Sequence, residues 1–304
     1  MRALKPYQLS DELEKFLNDQ SIVGASAWNR LFDETMASLQ FKLDKKEVAL
    51  ETVLNKLTDR KRTERKKAAK SLAKVLTKNL PLFTRITNTL VKEKSIEDKW
   101  RNFPSPEFSR HLSNDIEPTV VNALRNAVVD NYPNISHRYY RLKAKWLGLK
   151  KLEIWDRNAP LKNDTTDLIS WSKAKELVLS AYKEFDPRLE KLAKPFFQNG
   201  WIDAEVKPGK APGAFAHPTV TNVHPYILLN YLGKPRDVMT LAHELGHGIH
   251  QTLAAKQGEI LASTPLTLAE TASVFGEMLT FKKMLSESQG EAERHHLLAA
   301  KVED

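Results

Sequence analysis

The sequence of 304 residues contains no cysteine. It therefore has no disulfide framework, no thiol nucleophile and no thiolate metal site. It also lacks an N-terminal apolar signal region and any run of about eighteen apolar residues, the length that a transmembrane helix needs. These absences argue against a disulfide-rich secreted domain and a membrane protein, and they predict a cytoplasmic protein with no membrane partner.

The sequence has an excess of basic residues, with a formal net charge of +9 that raises nucleic acid as a partner. The excess is concentrated between Arg60 and Lys78, where apolar residues recur at helical spacing. Aromatic residues do not alternate with the basic ones, and no known nucleic-acid-binding module is present. The pattern favours a solvated helix face over nucleic-acid binding, and nothing in it indicates an oligomeric state.

The most informative positive feature is a His-Glu-x-x-His motif formed by His243, Glu244 and His247. Apolar residues recur around it at helical spacing, and residues four apart lie on the same face of an α-helix. Both imidazoles can therefore bind one metal ion, and Glu244 can act as the base on a metal-activated water. The alternative is a surface helix whose histidines are incidental.

Other residues of the same stretch refine this prediction. Asp237, which follows Pro235, is a plausible helix start signal. Gly246 is costly inside a helix and indicates that substrate or another backbone passes close by. His250 shares the metal-facing side of the helix, but a fourth protein ligand would close the open position that catalysis requires. We therefore place His250 near the metal but not among its ligands.

The third ligand is expected on a following segment, where Glu259, Glu270 and Glu277 are candidates. Glu259 follows a glycine in a predicted turn and is expected to be solvated. Glu270 and Glu277 lie seven residues apart on a second predicted helix, in which Leu268 and Phe275 are expected to be buried. A buried carboxylate is costly unless it is paired or bound to metal. Spacing modestly favours Glu270 as ligand, with the other glutamate orienting a histidine or forming a buried ion pair.

Most of the remaining chain has helical spacing, including residues 27–43, 46–57, 65–78, 120–131, 171–185 and 189–197. Only residues 201–231 are clearly non-helical, with short strands predicted at 202–206 and 227–231. A small sheet directly before the metal-binding helix could bind an extended peptide along its edge.

The candidates for this edge are Gly213, Ala214 and Phe215, since small residues permit close approach. An ordinary glycine turn is the alternative. His224 either positions substrate or caps a strand.

These residues resemble a known family. TLAHELGHGIHQTLA (residues 240–254) and PLTLAETASVFGEMLTF (265–281) are similar to oligoendopeptidase F, in the thimet-oligopeptidase superfamily of zinc metallopeptidases. The likeness extends upstream through DRNAP (156–160) and GKAPGAFAHP (209–218), and weakly back to about Leu9. The resemblance implies a mainly α, multi-helical zincin-type fold with a small β-sheet next to the zinc-binding helix.

The resemblance also implies site residues and a domain organisation. One Zn²⁺ is expected on His243, His247 and Glu270, with Glu244 as the general base. The spacing of the residues adds Glu277 and His250 in supporting positions. Gly213, Ala214, Phe215 and His224 are the substrate-binding candidates. We expect an N-terminal helical region at 1–100 and, at 101–304, the N-terminal part of a catalytic domain that is incomplete at its C-terminus. Family members have additional N-terminal sequence, and the residues that stabilise the oxyanion are expected beyond Asp304.

The predicted function is zinc-dependent endopeptidase hydrolysis of short peptides. The alternative is an inactive fragment or scaffold that keeps the zinc site and binds peptides without cleaving them.

Overall fold

The computed structural model describes residues 2–161, 168–207 and 209–303. This part of the chain is mainly helical with two small sheets, as the fold class predicts. It divides into two compact units, Met1–Lys162 and Asn163–Asp304. This division lies some sixty residues after the expected boundary at residue 100, so the predicted extent of the catalytic domain stays a prediction. None of the described helices combines the length and the hydropathy that a membrane span requires.

The first unit consists of helices around one short hairpin. Its elements are α1 (Asp11–Ser21), α2 (Ala25–Ser38), β1 (Phe41–Leu43), β2 (Lys46–Val48), α3 (Leu50–Lys56), α4 (Arg62–Lys78), α5 (Leu80–Arg101), α6 (Phe108–Ser113), α7 (Pro118–Asn131) and α8 (Ser136–Trp146). Two 3₁₀ turns, Arg2–Tyr7 and Ile154–Asp156, complete it.

The hairpin corrects the sequence interpretation. Continuous helices were predicted over 27–43 and 46–57, but β1 and β2 pair antiparallel between α2 and α3. Asp44 adopts a φ of 54°, which turns the chain after β1. Phe41 becomes fully buried in a cluster with Val53 and Ala68. The free energy gained by burying a large aromatic side chain outweighs the local helix propensity of these residues.

A buried ionic cluster joins α4 to the 3₁₀ turn at residues 154–156. The Asp156 carboxylate is fully buried and accepts hydrogen bonds from Arg62 and Arg65 at 2.7–3.1 Å. Arg65 also donates to the Trp155 carbonyl oxygen at 2.9 Å. The two buried charges, Arg65 and Asp156, are therefore paired with each other, and the partly exposed Arg62 is a second partner of the carboxylate.

The second unit carries the predicted site. It consists of α9 (Trp171–Phe185), α10 (Pro187–Gln198), β3 (Ile202–Asp203), β4 (Phe215–His217), β5 (Tyr226–Leu228), α11 (Pro235–Ala254), α12 (Leu266–Glu287) and α13 (Glu291–Glu303), with a 3₁₀ turn at Ala255–Gln257. Its core is formed by apolar side chains of α9, α10, β5, α11, α12 and α13. The three strands have the order β3-β5-β4, with β4 at the edge. They are shorter than the predicted strands at 202–206 and 227–231.

Helix α12 is less buried than its apolar sequence predicts. Leu268 and Phe275 were expected to be buried, but they are 57% and 43% exposed. The prediction was wrong because the buried residues of α12 lie on one side of the helix, and Leu268 and Phe275 lie outside that side. The Phe275 ring instead meets the Phe185 ring edge-on, with a centroid distance of 4.8 Å.

Candidate active site

Helix α11 begins where the sequence indicates. Pro235 is its first residue, and the Asp237 carboxylate accepts hydrogen bonds from the backbone N–H groups of Leu232 and Lys234 at 2.8 and 2.9 Å. The carboxylate thus binds backbone donors at the positive end of the helix. Val238, Leu241, Ala242 and Leu245 are fully buried, so the apolar stripe faces the core and the histidines face away from it.

His243, His247 and Glu270 form one group of metal-ligand atoms, all within 4.8 Å of one another. The Nε2 atom of His243 lies 3.3 Å from one Glu270 carboxylate oxygen, and the Nε2 atom of His247 lies 3.7 Å from the other. Two imidazole nitrogens and a carboxylate oxygen are the donor set of a catalytic zinc site. Three protein donors would leave room on a bound zinc ion for a water molecule or the substrate.

Of the three candidate glutamates, the structure brings Glu270 to the histidine pair. Its side chain is 52% exposed, so the burial cost that was expected to constrain it does not apply. The Ser273 hydroxyl donates to the Glu270 carboxylate at 3.1 Å and helps to orient it. Glu259 lies elsewhere and accepts a hydrogen bond from the Thr221 backbone N–H at 3.2 Å.

Gly246 explains how Glu270 reaches the site. A Cβ atom at this position would lie 2.8 Å from both the Ala272 carbonyl oxygen and the Ser273 Cα atom. The missing side chain therefore lets α12 pass against the middle of the motif helix, two or three residues beyond Glu270. The close approach that Gly246 indicates is thus made by another backbone.

Glu244 lies beside this group and is only 6% exposed. Burial raises the pKa of Glu244 and the Glu270 charge adds to this rise, whereas His243 and a hydrogen bond from the Ala216 backbone lower the pKa, which leaves it at about 6. A carboxylate with a pKa near neutrality can both accept and return a proton. Burial also lowers the pKa of His247, which favours the neutral imidazole that binds metal.

Glu277 lies behind His243. One of its carboxylate oxygens is 3.3 Å from the His243 Nδ1 atom, and the other pairs with the Lys301 ammonium of α13. The Glu277 side chain is 9% exposed. A carboxylate at Nδ1 favours the tautomer that leaves the Nε2 lone pair free, and Nε2 is the atom that faces Glu270.

The predicted substrate edge lies on β4 and the residues before it. Gly213 adopts a φ of 81°, a conformation that favours glycine, while Ala214 is half-buried and Phe215 is 47% exposed. Two polar side chains hold this segment. Asn230 donates to the Ala211 and Gly213 carbonyl oxygens at 2.9 and 3.1 Å.

The second of these side chains is Lys210, which is 6% exposed. Its ammonium donates to the carbonyl oxygens of Asp203, Glu205 and Leu229 at 2.8–3.0 Å. It also pairs with the Asp203 carboxylate at 3.1 Å. Lys210 therefore ties the loop before β4 to β3 and β5.

His224 and His250 lie outside the group of metal-ligand atoms. The His224 ring stacks on the Trp201 ring, with centroids 3.7 Å apart and an interplanar angle of 6°. Its function in substrate positioning stays a prediction. His250 is half-buried on α11 and contributes to lowering the pKa of His247 through its charge, so it lies near the site, as expected.

Sequence reasoning missed four contributors to this site: Lys301, Lys210, Asn230 and Gln251. Lys301 is 24 residues beyond Glu277 and has no local signal. Lys210 stands within the GKAPGAF segment, whose composition indicates a turn but not four oxygen partners. Asn230 and Gln251 act through backbone carbonyls, which no pattern of side chains reveals.

Comparison with known proteins shows the family of this chain. Residues 53–304 match the family model described as peptidase family M3, and residues 1–41 match the model described as oligopeptidase F. The chain belongs to peptidase family M3. The family match covers α11 and α12, and with them every residue of the group formed by His243, His247 and Glu270.

Curated relatives of this M3 chain carry oligopeptidase names. It is 25% identical over 301 residues to oligopeptidase PepF of Bacillus subtilis, with 97% of this chain and 45% of that protein covered. It is 28% identical over 248 residues to an oligoendopeptidase F homolog of Lactococcus lactis subsp. lactis, with 80% and 40% covered. The chain thus spans less than half the length of these two relatives.

Solved structures show the same fold. The structure of oligoendopeptidase-F from Enterococcus faecium has a TM-score of 0.62 at 21% identity, with 98% of this chain and 47% of that chain covered. A structure described as PZ peptidase A with an inhibitor has a TM-score of 0.81 at 18% identity, with 98% and 53% covered. Together with the family match, these structures support the mainly α, zincin-type fold.

Proposed function

We propose that this chain carries the zinc centre of a metalloendopeptidase that hydrolyses short peptides. The observation that carries the proposal is the convergence of His243, His247 and Glu270, with the buried carboxyl of Glu244 beside them. The oligopeptidase names of the relatives support peptides as substrates. Because the chain spans only part of these proteins, activity, substrate class and a cytoplasmic location all belong to the proposal.

The donor set fits one zinc ion, which His243, His247 and Glu270 would hold. Zinc bound there supplies a Lewis acid for the scissile carbonyl and for the attacking water. Glu244 takes the proton of that water and delivers it to the leaving amine. Its raised pKa suits both steps, because the carboxyl gives up a bound proton near neutral pH.

The chain's own residues also prepare the site for a peptide. Glu277 holds the Nδ1 side of His243, so that Nε2 stays available to the metal. The segment Gly213–Phe215 presents backbone groups to an extended peptide, which would place its scissile bond beside Glu244. His224 and His250 stay candidates for supporting functions near the substrate.

The alternative is a zinc-retaining scaffold that binds peptides without hydrolysing them. The structure offers this alternative no specific support, because the buried Glu244 carboxyl lies beside the predicted ligands, as a base requires. The family match and the peptidase names of the relatives also favour hydrolysis.

The test is Glu244→Gln in the full chain, with zinc content measured by atomic emission and hydrolysis measured with a quenched fluorescent peptide library. We expect zinc to be retained and hydrolysis to fall by about 10²- to 10⁴-fold. Glu259→Gln is the matched control, because Glu259 lies outside the ligand group, and it should keep both zinc and activity. Near-normal turnover by Glu244→Gln would refute its assignment as base. Zinc binding without hydrolysis by the wild-type chain would favour the scaffold.

A further inference from the structure

The direction of the backbone groups in β4 follows from the bonds of the central strand. The Ile227 N–H donates to the Trp201 carbonyl oxygen beside β3, at 2.9 Å. Alternate residues of a strand direct their backbone groups to opposite edges, so Tyr226 and Leu228 face β4. Ala216 is opposite Ile227 in the register. The backbone groups of Ala216 therefore point away from β5, to the outer edge of the sheet.

At that outer edge, two side chains of α11 already form hydrogen bonds with the backbone N–H and carbonyl groups of Ala216. Its N–H donates to the Glu244 carboxylate, and its carbonyl oxygen accepts a hydrogen bond from the Gln251 Nε2 atom at 3.2 Å. Ala214 lies directly before β4, two residues from Ala216, so the same alternation, continued to Ala214, directs its backbone groups to the outer edge. Among the described residues these groups have no hydrogen-bond partner. The edge therefore offers one residue, Ala214, to an incoming strand.

Gln251 makes this contact at a cost. Within the described part of the chain, its Oε1 atom is buried and has no hydrogen-bond partner. A buried acceptor without a donor is destabilising, and such groups are uncommon in folded proteins. Because of this cost, stabilisation of the fold does not account for the Gln251 carboxamide. Its hydrogen bond to the Ala216 carbonyl oxygen points to a different function.

We propose that Gln251 is a positioning residue that ends the peptide-binding edge at Ala216, so that an extended peptide pairs with Ala214 alone. The inference rests on the proposed function, because it concerns the same peptide site. A peptide residue opposite Ala214 exchanges main-chain hydrogen bonds with it. The peptide residue that would face Ala216 finds both groups occupied. Gln251 thereby sets the register in which the peptide lies beside Glu244.

The test removes peptide N–H groups one at a time. The probe is an acetylated hexa-alanine peptide with a C-terminal fluorophore, together with its singly N-methylated versions. Dissociation constants are measured by fluorescence anisotropy with the zinc-loaded chain, and KM and kcat replace them for any peptide that is hydrolysed. Gln251→Ala and the volume-conserving Gln251→Leu are compared with wild type, which cancels the intrinsic effect of each methyl group.

For wild type we expect one sensitive position, where N-methylation weakens binding about fivefold, the effect of one hydrogen bond. In both Gln251 variants, a second position two residues away should become sensitive by a similar factor, because the Ala216 carbonyl is free. Where hydrolysis occurs, the change should fall on KM more than on kcat. Thr252→Val on the same helix is the control and should keep the wild-type profile.

Two positions at which N-methylation weakens binding to wild type would overturn the inference about Gln251, and so would an unchanged pattern in the Gln251 variants. Neither result would affect the proposed function. Binding that no N-methyl group affects would also overturn the inference, while zinc-dependent hydrolysis of the same peptides would keep the proposed function. If neither wild type nor the variants bind or hydrolyse any peptide, the proposed function fails and the inference fails with it.

Discussion

Substituting Gly246 by alanine tests how the predicted ligands are brought together. In the middle of a helix, a change from glycine to alanine ordinarily stabilises the folded state by about 1 kcal/mol. At Gly246 the added Cβ atom would lie 2.8 Å from the Ala272 carbonyl oxygen and from the Ser273 Cα atom. Both are backbone atoms of α12, so no side-chain rotation can relieve the contact.

The geometry determines the sign of the effect. Carbon atoms are in favourable contact from about 3.5 Å, so α12 must move away from α11 by about 0.7 Å. Overpacking of this kind costs about 1–3 kcal/mol, which exceeds the gain in helix propensity. Subtracting the gain of about 1 kcal/mol from this cost leaves a net destabilisation of up to about 2 kcal/mol. Zinc affinity should fall as well, because Glu270 moves with α12 while His243 and His247 stay on α11.

The assay combines urea unfolding followed by circular dichroism with zinc competition against a chromophoric chelator. Thr240→Ala on the same helix is the control, since it raises helix propensity without adding a contact. It should leave zinc affinity unchanged. If Gly246→Ala stabilises the chain by about 1 kcal/mol and binds zinc normally, then the close packing of α11 and α12 does not position Glu270.

Three further perturbations have expected outcomes. Burial raises the pKa of Asp156, but hydrogen bonds from the two arginines outweigh it and hold the pKa at about 2, below 3.8. The contribution of Asp156 to the free energy of unfolding is thus fully present above about pH 4 and is lost as the pH falls toward 2. Wild type should lose about 2 kcal/mol more than Asp156→Asn in urea unfolding across that range. Gly276→Ala should destabilise the chain, because its Cβ atom would collide with the Tyr182 hydroxyl, and adding Tyr182→Phe should recover part of the loss in thermal unfolding. Lys301→Met should weaken zinc binding severalfold in the chelator assay, because Glu277 loses the ammonium that helps to hold it.

Each of these predictions has a contrary result. Equal acid sensitivity in wild type and Asp156→Asn would contradict the lowered pKa, and the exposed Asp130→Asn should behave as wild type. A stable Gly276→Ala variant would show that α9 and α12 are not in close contact there. Zinc binding that is unchanged in Lys301→Met, or equally reduced in the exposed Lys282→Met, would refute a specific effect of Lys301.

The helical fold class could be predicted because helices leave a local periodic pattern, and α4, α7, α9 and α10 were identified nearly to their ends. The β1–β2 hairpin was not, because the burial of Phe41 depends on residues from α3 and α4. The exposed side of α12 was also misjudged, since an apolar sequence does not show which of its sides has a partner.

The sequence by itself determined that His243, Glu244 and His247 share one region of a helix, because positions four apart are neighbours through local backbone geometry. It also indicated a close approach of substrate or another backbone at Gly246, because glycine is costly inside a helix. Which glutamate reaches the histidines was decided by tertiary structure, through the path of the α12 backbone past Gly246. Lys301 and Gln251 were likewise placed only by tertiary structure. Their partners lie 24 and 35 residues away, and no periodic pattern links residues that meet only when helices and strands pack.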